Sequence, residues 1–185
     1  MIDYTKEELL YLEKIISSLY LPEKLIKLKA LAPSDSNHYD FLYQVAHYFE
    51  PSPMVEIGTH KGVSAWALGS GNPDGKVFTV DINPTSGEYI SKNAECFIGD
   101  SVELSTQMPD KIELLFIDGG HTYEQVTADY ETYQSKMRGG GLVLIDDIFS
   151  PTAGVMKFWK QLKHKNKIEF MNIHKNYGFG GIICE

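Results

Sequence analysis

Apolar residues recur along the chain with two different spacings, and the spacing changes near residue 54. Before that point they recur every three or four positions, which predicts helices with one buried face. After it, short apolar runs alternate with helical segments, which predicts a parallel sheet covered by helices on both faces. The predicted helices are 6–19, a short one opened by Pro22, one from about Asn37 that ends before Pro51 and Pro53, and then 63–68, 84–93, 101–108, 123–137 and 152–165. The predicted strands are 54–58, 77–81, 95–98, 112–118, 142–147, 168–173 and 180–184.

The last two predicted strands are joined by a turn at residues 176–178 and have no helix between them. They must therefore pair antiparallel, while the strands before them are parallel. The expected fold is an α/β, doubly wound Rossmann-like sheet of seven strands with the last antiparallel. The 185 residues suit one domain, with a helical extension at 1–50 and a core at 54–185.

Composition narrows the class of partner. The net charge of −8 disfavours nucleic acid, and every apolar run is too short to span a membrane. The first residues lack a basic region and an apolar core, so we expect a cytoplasmic protein. Cys96 and Cys184 lie in apolar runs and are expected to be buried free thiols. The five lysines between Lys157 and Lys167 are expected to form a solvated helix face.

Acidic residues stand at the carboxyl ends of the predicted strands, where open α/β sheets bind their ligands. The first strand is followed by Gly58 and Gly62, which are four apart and so do not match the G-x-G-x-x-G spacing of a dinucleotide site. Asp81 ends the second strand and is placed to bind a ribose diol; the alternative is a tight turn plus a surface acid. Asp100 or Ser101 caps a helix or contacts a purine ring, and the sequence leaves both open.

Three motifs together resemble class I S-adenosylmethionine-dependent methyltransferases. They are V-E-I-G-T-x-x-G-x-S from Val55 to Ser64 followed by Asp81 and G-D-S at 99–101; F-I-D-G-G-H-T-Y-E from Phe116 to Glu124 followed by Asp129; and G-G-G-L-V-L-I-D-D from Gly139 to Asp147. The chain is most similar to small O-methyltransferases of the macrocin type, which methylate sugars, and more remotely to the catechol type. The first fifty residues carry no recognised motif.

The resemblance implies a role for each matched residue. It places Glu56, Gly58, Thr59, Gly62 and Ser64 around the methionine end of S-adenosylmethionine. It places Asp81 on the ribose, Asp100 and Ser101 beside the adenine, and Asp118 at the reacting end.

Asp118, Asp146 and Asp147 end two strands that should be neighbours, where like charges need a cation or a proton between them. Oxygen ligands favour Mg²⁺ or a similar divalent ion, and the resemblance implies such an ion at Asp118 and Asp147. Ile148 stands where the catechol type has an amide, so Asp146 is the expected third ligand. The alternative is that Asp146 and Asp147 cap the turn before Pro151.

His121 is the expected catalytic base beside Asp118, because imidazole titrates near neutral pH. Its alternative roles are to cap the long helix or to bond a backbone carbonyl. The other histidines, which show no ligand spacing, are His38, His47, His60, His164 and His174.

The expected activity is therefore methyl transfer from S-adenosylmethionine to a hydroxyl oxygen of a small molecule, such as a sugar, with Mg²⁺ as a candidate second cofactor. The alternatives are a catalytically silent cofactor-binding module and a nicotinamide-dependent oxidoreductase. The N-terminal helices are expected to pack on the core, to cover the site, or to use exposed Leu and Ile of residues 9–28 in a homodimer interface.

Overall fold

The structure is a computed structural model that describes residues 3–30, 37–84, 86–152, 154–174 and 176–185. Its helices are α1 (Lys6–Ile15), α2 (Glu23–Lys29), α3 (His38–Phe49), α4 (Val63–Gly71), α5 (Ser101–Leu104), α6 (Tyr123–Gln134) and α7 (Gly154–Gln161), with single 3₁₀ turns at Ile16–Ser18 and Ser105–Gln107. Its strands are β1 (Met54–Ile57), β2 (Val77–Asp81), β3 (Ala94–Ile98), β4 (Ile112–Ile117), β5 (Met137–Asp146), β6 (Lys167–Phe170) and β7 (Phe179–Ile183).

The described strands form one seven-stranded sheet in the order β3-β2-β1-β4-β5-β7-β6. β1 to β5 pair parallel, whereas β7 is antiparallel to both β5 and β6. The expected fold class is thereby confirmed, and β7 inserts between β5 and β6. Ile57 pairs with Ile117, and Ile117 pairs with Ile145, so three central strands end at one level.

The helix predicted over 84–93 is wrong. The described residues of this segment, all but residue 85, form turns, and Gly87 has a φ of +87° that does not belong to a helix. The backbone N–H of Gly87 donates to the carbonyl of His60 at 2.8 Å, and that of Tyr89 donates to the carbonyl of Lys61 at 2.8 Å. The backbone N–H groups of Gly87 and Tyr89 therefore bond to the loop after β1 instead of to carbonyls within a helix.

The N-terminal helices pack against one face of the sheet. Leu9, Leu12, Leu25 and Leu28 are buried in the same apolar cluster as Phe41 of α3 and several side chains of the sheet. The expectation that the Leu and Ile of residues 9–28 are exposed is wrong for these four leucines, because they bury the apolar stripe of each helix. The homodimer loses that support, although Ile26 remains 56% exposed.

Two further expectations need correction. Cys96 and Cys184 are free, but each is partly exposed, because Cys96 lies on the outer strand β3 and Cys184 follows the end of β7. The five lysines do not share one helix face, since α7 ends at Gln161. The ammonium of Lys167 instead donates to the backbone carbonyl of Leu162 at 3.1 Å.

Among the described helices, none has the length and apolarity that a bilayer crossing requires.

The N-terminal helices are expected to be part of the cooperative core. Leu25 is fully buried, so Leu25→Ala should lower the free energy of unfolding by about 2–5 kcal/mol in urea denaturation. Its neighbour Ile26 is exposed, so Ile26→Ala should change that free energy by no more than about 0.5 kcal/mol. Equal, small effects at both positions would show that α2 is not part of the core.

Candidate active site

An open cleft of about 440 Å³ lies at the carboxyl edge of the sheet. The ends of β1 to β4 and the start of α6 supply its walls. Several predicted site residues therefore come together, although they are far apart in sequence. Those lining the cleft are Gly58, Asp81, Asp100, Ser101, Asp118 and His121.

Gly58 allows the loop after β1 to lie directly against the loop after β4. A Cβ at Gly58 would lie 2.0 Å from the carbonyl oxygen of Asp118, and its φ is +101°. Any side chain would therefore push the two strand ends apart. Gly62 is the N-cap residue of α4 and has a φ of +86°. Gly58 therefore allows the close approach of the two loops, and Gly62 allows the turn into the helix.

The Asp81 carboxylate is held at the end of β2 by backbone donors. The N–H of His60 donates to it at 2.7 Å and the N–H of Asn83 at 2.8 Å. Two backbone donors fix the orientation of the carboxylate at the cleft wall, where a ribose diol would have to bind.

Asp100 caps α5, since its side chain accepts hydrogen bonds from the N–H groups of Val102 and Glu103. The Ser101 hydroxyl donates to Asp129. The pKa of Asp129 is raised overall, because the effect of burial exceeds the lowering by that hydrogen bond. The capping role foreseen for Asp100 is confirmed, and the same residues line the cleft. A purine contact stays a prediction.

Two apolar side chains that the sequence reasoning passed over also line this part of the cleft. Ile82 follows Asp81 and is 76% exposed, and Val102 in α5 is 39% exposed. Exposed branched side chains facing one cleft are suited to the faces of a planar ring. An apolar residue directly after the acidic end of a strand was the available signal for Ile82.

Glu56 is fully buried behind the β1 loop. The Thr79 hydroxyl donates to one carboxylate oxygen, and the Thr59 and Thr79 hydroxyls lie 2.6 Å apart. The other oxygen, Oε1, has no hydrogen-bond partner among the described residues. Burial raises the pKa of Glu56 to about 7, although hydrogen bonds from the Ser64 and Thr79 side chains partly oppose the rise. A readily neutralised acid therefore lies beside the predicted methionine subsite. Ser64 and Thr59 are buried nearby, and both line a small recess that continues the cleft.

Asp118 and His121 line the cleft, and Asp147 lies beside His121. Burial, followed by the charges of Asp146 and Asp147, raises the pKa of Asp118 well above its usual range. Asp147 has a φ of +62°, an uncommon conformation for a non-glycine residue, and its Oδ2 lies 3.3 Å from Nδ1 of His121. The side chain of Thr122 caps α6, so the capping role considered for His121 falls to its neighbour.

The structure brings Asp146 together with two histidines that show no ligand spacing in the sequence. His174 Nδ1 lies 2.8 Å from Asp146 Oδ1, and His38 Nδ1 lies 3.8 Å from Asp146 Oδ2. Burial lowers the pKa of His38 to about 4, so its imidazole is neutral. Within the described ranges these three residues are the one group of His, Cys, Asp or Glu with ligand atoms close enough to share an ion.

This arrangement does not fit an oxygen-only Mg²⁺ site at Asp118, Asp146 and Asp147. Asp146 faces imidazole nitrogens, which Mg²⁺ takes reluctantly as ligands. Asp118 and Asp147 stand outside the convergent group among the described residues. The aspartate triad as a metal site stays a prediction.

A family model described as a methyltransferase domain matches residues 55–148, which is just over half of the chain. The chain belongs to this methyltransferase family. The match begins at β1 and ends after β5, and so it includes every strand end that lines the cleft.

Curated relatives of the chain include two uncharacterized proteins. Uncharacterized protein R132 of Acanthamoeba polyphaga mimivirus is 27% identical over 147 residues, which are 69% of this chain and 66% of the relative. Uncharacterized protein y4gI of Sinorhizobium fredii is 29% identical over 149 residues, which are 68% of this chain but only 16% of the relative. The chain thus spans just under two thirds of the first relative and a small part of the second.

Solved structures with the same fold include methyltransferases bound to cofactor. Cofactor-bound Rv0187 from MTB superposes with a TM-score of 0.74 at 18% identity, covering 92% of this chain and 94% of that one. The O-methyltransferase TomG from Streptomyces achromogenes, in complex with SAM, gives 0.68 at 18%, covering 98% and 100%. The O-methyltransferase from Bacillus cereus, in complex with SAH, gives 0.65 at 16%, covering 96% and 99%. The methyltransferase therefore has the class I, S-adenosylmethionine-dependent methyltransferase fold.

The pKa of Glu56 makes a prediction about stability. Because burial raises this pKa from 4.5 to about 7, the native state holds a proton that the unfolded state releases, and the associated stability is lost as pH rises through this window. Between about pH 5 and about pH 8, the wild type should lose about 2–3 kcal/mol more unfolding free energy than Glu56→Gln.

Urea denaturation at the two pH values measures this difference. Glu95→Gln on β3 is the matched control, because Glu95 is an exposed carboxylate and the substitution should leave the wild-type pH dependence unchanged. A Glu56→Gln variant with the full wild-type pH dependence would contradict the burial of a protonated Glu56.

Proposed function

We propose that the chain transfers a methyl group from S-adenosylmethionine to a hydroxyl oxygen of a small molecule. The observation that carries the proposal is the position of His121, which lines the cofactor-sized cleft and is oriented by Asp147 at 3.3 Å. A base at that place is needed to deprotonate an oxygen acceptor and has no purpose in a site that only binds cofactor. The residues assigned to this cleft lie in the one domain predicted over residues 1–185.

The cofactor is assigned to the cleft from its chemistry. Its adenine lies between Ile82 and Val102, its ribose hydroxyls donate to Asp81, and its methionine end reaches the recess beside Gly58, Thr59 and Ser64. In support, Ile82 and Val102 are exposed and line this cleft, and Asp81 is already oriented by backbone donors. The cofactor has a positive sulfonium and an ammonium and carries no phosphate, which suits an acidic cleft without a pyrophosphate cradle.

Glu56 complements the positive charge of the cofactor from behind the residues that line the cleft. Its Oε1 has no partner among the described residues, and it lies behind the loop that would hold the methionine end. Binding of a cation nearby favours the ionised carboxylate, so the cofactor stabilises the charge that burial disfavours.

The acceptor hydroxyl approaches beside Asp118 and His121. Its oxygen forms a bond to the methyl carbon as the bond from that carbon to sulfur breaks, leaving S-adenosylhomocysteine. The hydroxyl proton passes to Nε2 of His121, because Nδ1 faces Asp147. Asp147 keeps the ring oriented and stabilises the imidazolium that forms.

The inner end of the cleft is suited to a hydroxylated acceptor such as a sugar. Tyr39 of α3 lines the recess with Asp118, and burial keeps the pKa of its phenol above the usual range, so the hydroxyl stays available as a donor. Two acids, an imidazole and a phenol offer several hydrogen bonds to adjacent hydroxyl groups. The N-terminal extension thus contributes to the acceptor subsite through α3.

Substitution of the base gives the direct test. His121→Gln should lower kcat for S-adenosylhomocysteine formation by about 100- to 10,000-fold, because general-base catalysis contributes that much. The dissociation constant for S-adenosylmethionine should stay within about twofold, since His121 is not assigned to cofactor binding and every tenfold change would need 1.4 kcal/mol.

The assay screens monosaccharides, nucleotide sugars and catechols as acceptors, with product formation measured by mass spectrometry. His47→Gln serves as control because His47 is an exposed histidine on α3 away from the cleft. Wild-type turnover with His121→Gln would exclude His121 as the base. Tight cofactor binding with no product from any acceptor would instead favour the silent binding module.

A further inference from the structure

Three ligand-type side chains from separate parts of the chain meet at the end of β5. His38 is the first residue of α3, Asp146 is the last residue of β5, and His174 lies in the connection between β6 and β7. One nitrogen or oxygen from each lies within 4.8 Å of the other two. The two imidazole rings are 5.9 Å apart between centroids, with the carboxylate bonded to one and near the other.

This group is almost closed to solvent. The side chains of His38, Asp146 and His174 are 5%, 5% and 12% exposed. Burying a carboxylate with two imidazoles is costly unless each polar atom is satisfied or bound to a metal. A metal ion bound by all three side chains would offset the free-energy cost of burying them together.

We propose that His38, Asp146 and His174 bind a divalent transition-metal ion of the zinc class. Two imidazole nitrogens and one carboxylate oxygen form a ligand set that suits zinc, iron or cobalt, whereas Mg²⁺ and Ca²⁺ select oxygen. Ligand atoms around a tetrahedral ion at about 2.1 Å lie about 3.4 Å from one another. The distance from His174 Nδ1 to Oδ1 of Asp146 is 2.8 Å, and the distance from His38 Nδ1 to the other oxygen, Oδ2, is 3.8 Å. These two distances fall on either side of that value.

Asp147 lies beside these three residues, outside the group whose ligand atoms converge. Oδ1 of Asp147 lies 3.8 Å from Nδ1 of His174, while its Oδ2 faces His121. The ion would connect the N-terminal helix α3 and the β6–β7 connection to the carboxyl edge of the sheet. Its binding does not depend on methyl transfer, so it is tested without the acceptor or the cofactor.

The test uses the full chain without a polyhistidine tag, stripped of metal with EDTA and dialysed. Cobalt(II) is titrated first, because its visible absorption becomes much stronger when the ion leaves octahedral hydration for a tetrahedral protein site, and Zn²⁺ and then Mg²⁺ are added as competitors. We expect one equivalent of cobalt to bind with a visible absorption band, Zn²⁺ to displace it, and millimolar Mg²⁺ to leave it in place.

Substitutions locate the site. His174→Gln and His38→Gln should each weaken Zn²⁺ binding by about 100-fold or more, because loss of an outer contact alone costs about 10–100-fold in metal affinity. His47→Gln is the matched control, since His47 is an exposed histidine on the same helix as His38 and should leave Zn²⁺ binding unchanged. Circular dichroism checks that each variant folds.

The wild-type titration decides the question even if a variant fails to fold. Absence of a one-to-one zinc complex would overturn the proposal and leave the group as a metal-free hydrogen-bonded contact. Zinc affinity equal in the wild type and in a folded His174→Gln variant, or displacement of cobalt by Mg²⁺ as readily as by Zn²⁺, would also overturn it. Binding of S-adenosylhomocysteine, measured in parallel, separates a failure of this proposal from a failure of the proposed methyl transfer.

Discussion

The in-register parallel pairing of β1, β4 and β5 is the constraint on which the rest of the site depends. It ends three strands at one level and so places Gly58, Asp118 and Asp146 side by side. The contact is close enough that only glycine fits at position 58, where a Cβ would reach the carbonyl of Asp118. Without that approach, the loop after β1 and the loop after β4 could not form two walls of one cleft.

The same pairing concentrates negative charge, and the molecule resolves this in several ways. Burial raises the pKa of Glu56. Burial and the charges of its acidic neighbours raise the pKa of Asp118. Asp146 and Asp147 instead face imidazoles on one side. A positively charged cofactor at one end and a metal ion at the other would each reduce the remaining repulsion, which is why we place both at this edge.

Much of the fold could be predicted from hydrophobic patterning, because the strands are short apolar runs with strong turn signals between them. The segment 84–93 could not, since its backbone bonds to the loop at His60 and Lys61, a long-range contact that local spacing does not encode. The sequence could not choose between packing on the core, which buries Leu9 and Leu25, and a homodimer interface, because an amphipathic helix has an apolar stripe in either case.

Within the site, strand-end acids were predictable because chain order and sheet topology are linked. Gly58, Asp81, Asp100, Asp118 and His121 do meet in one cleft. The histidines at 38 and 174 were not predictable, since they have no ligand spacing in sequence and meet Asp146 only after α3 and the β6–β7 connection fold over the sheet. The acidic strand ends did not indicate Ile82, because they point to polar ligand groups, whereas a planar ring such as adenine also needs apolar contacts.

The central claim is that this edge of the sheet binds S-adenosylmethionine through one oriented cleft, and a calorimetric titration with S-adenosylhomocysteine tests it most directly. The wild type should bind one equivalent, and Ile82→Ser should weaken binding by roughly 10- to 100-fold, since burying an isoleucine is worth about 1.5–3 kcal/mol. Ile98→Ser is the comparison, because Ile98 is 45% exposed at the end of β3 but does not line the cleft, and it should bind as the wild type does. Absence of binding by the folded wild type, or equal affinity in Ile82→Ser, would contradict the account.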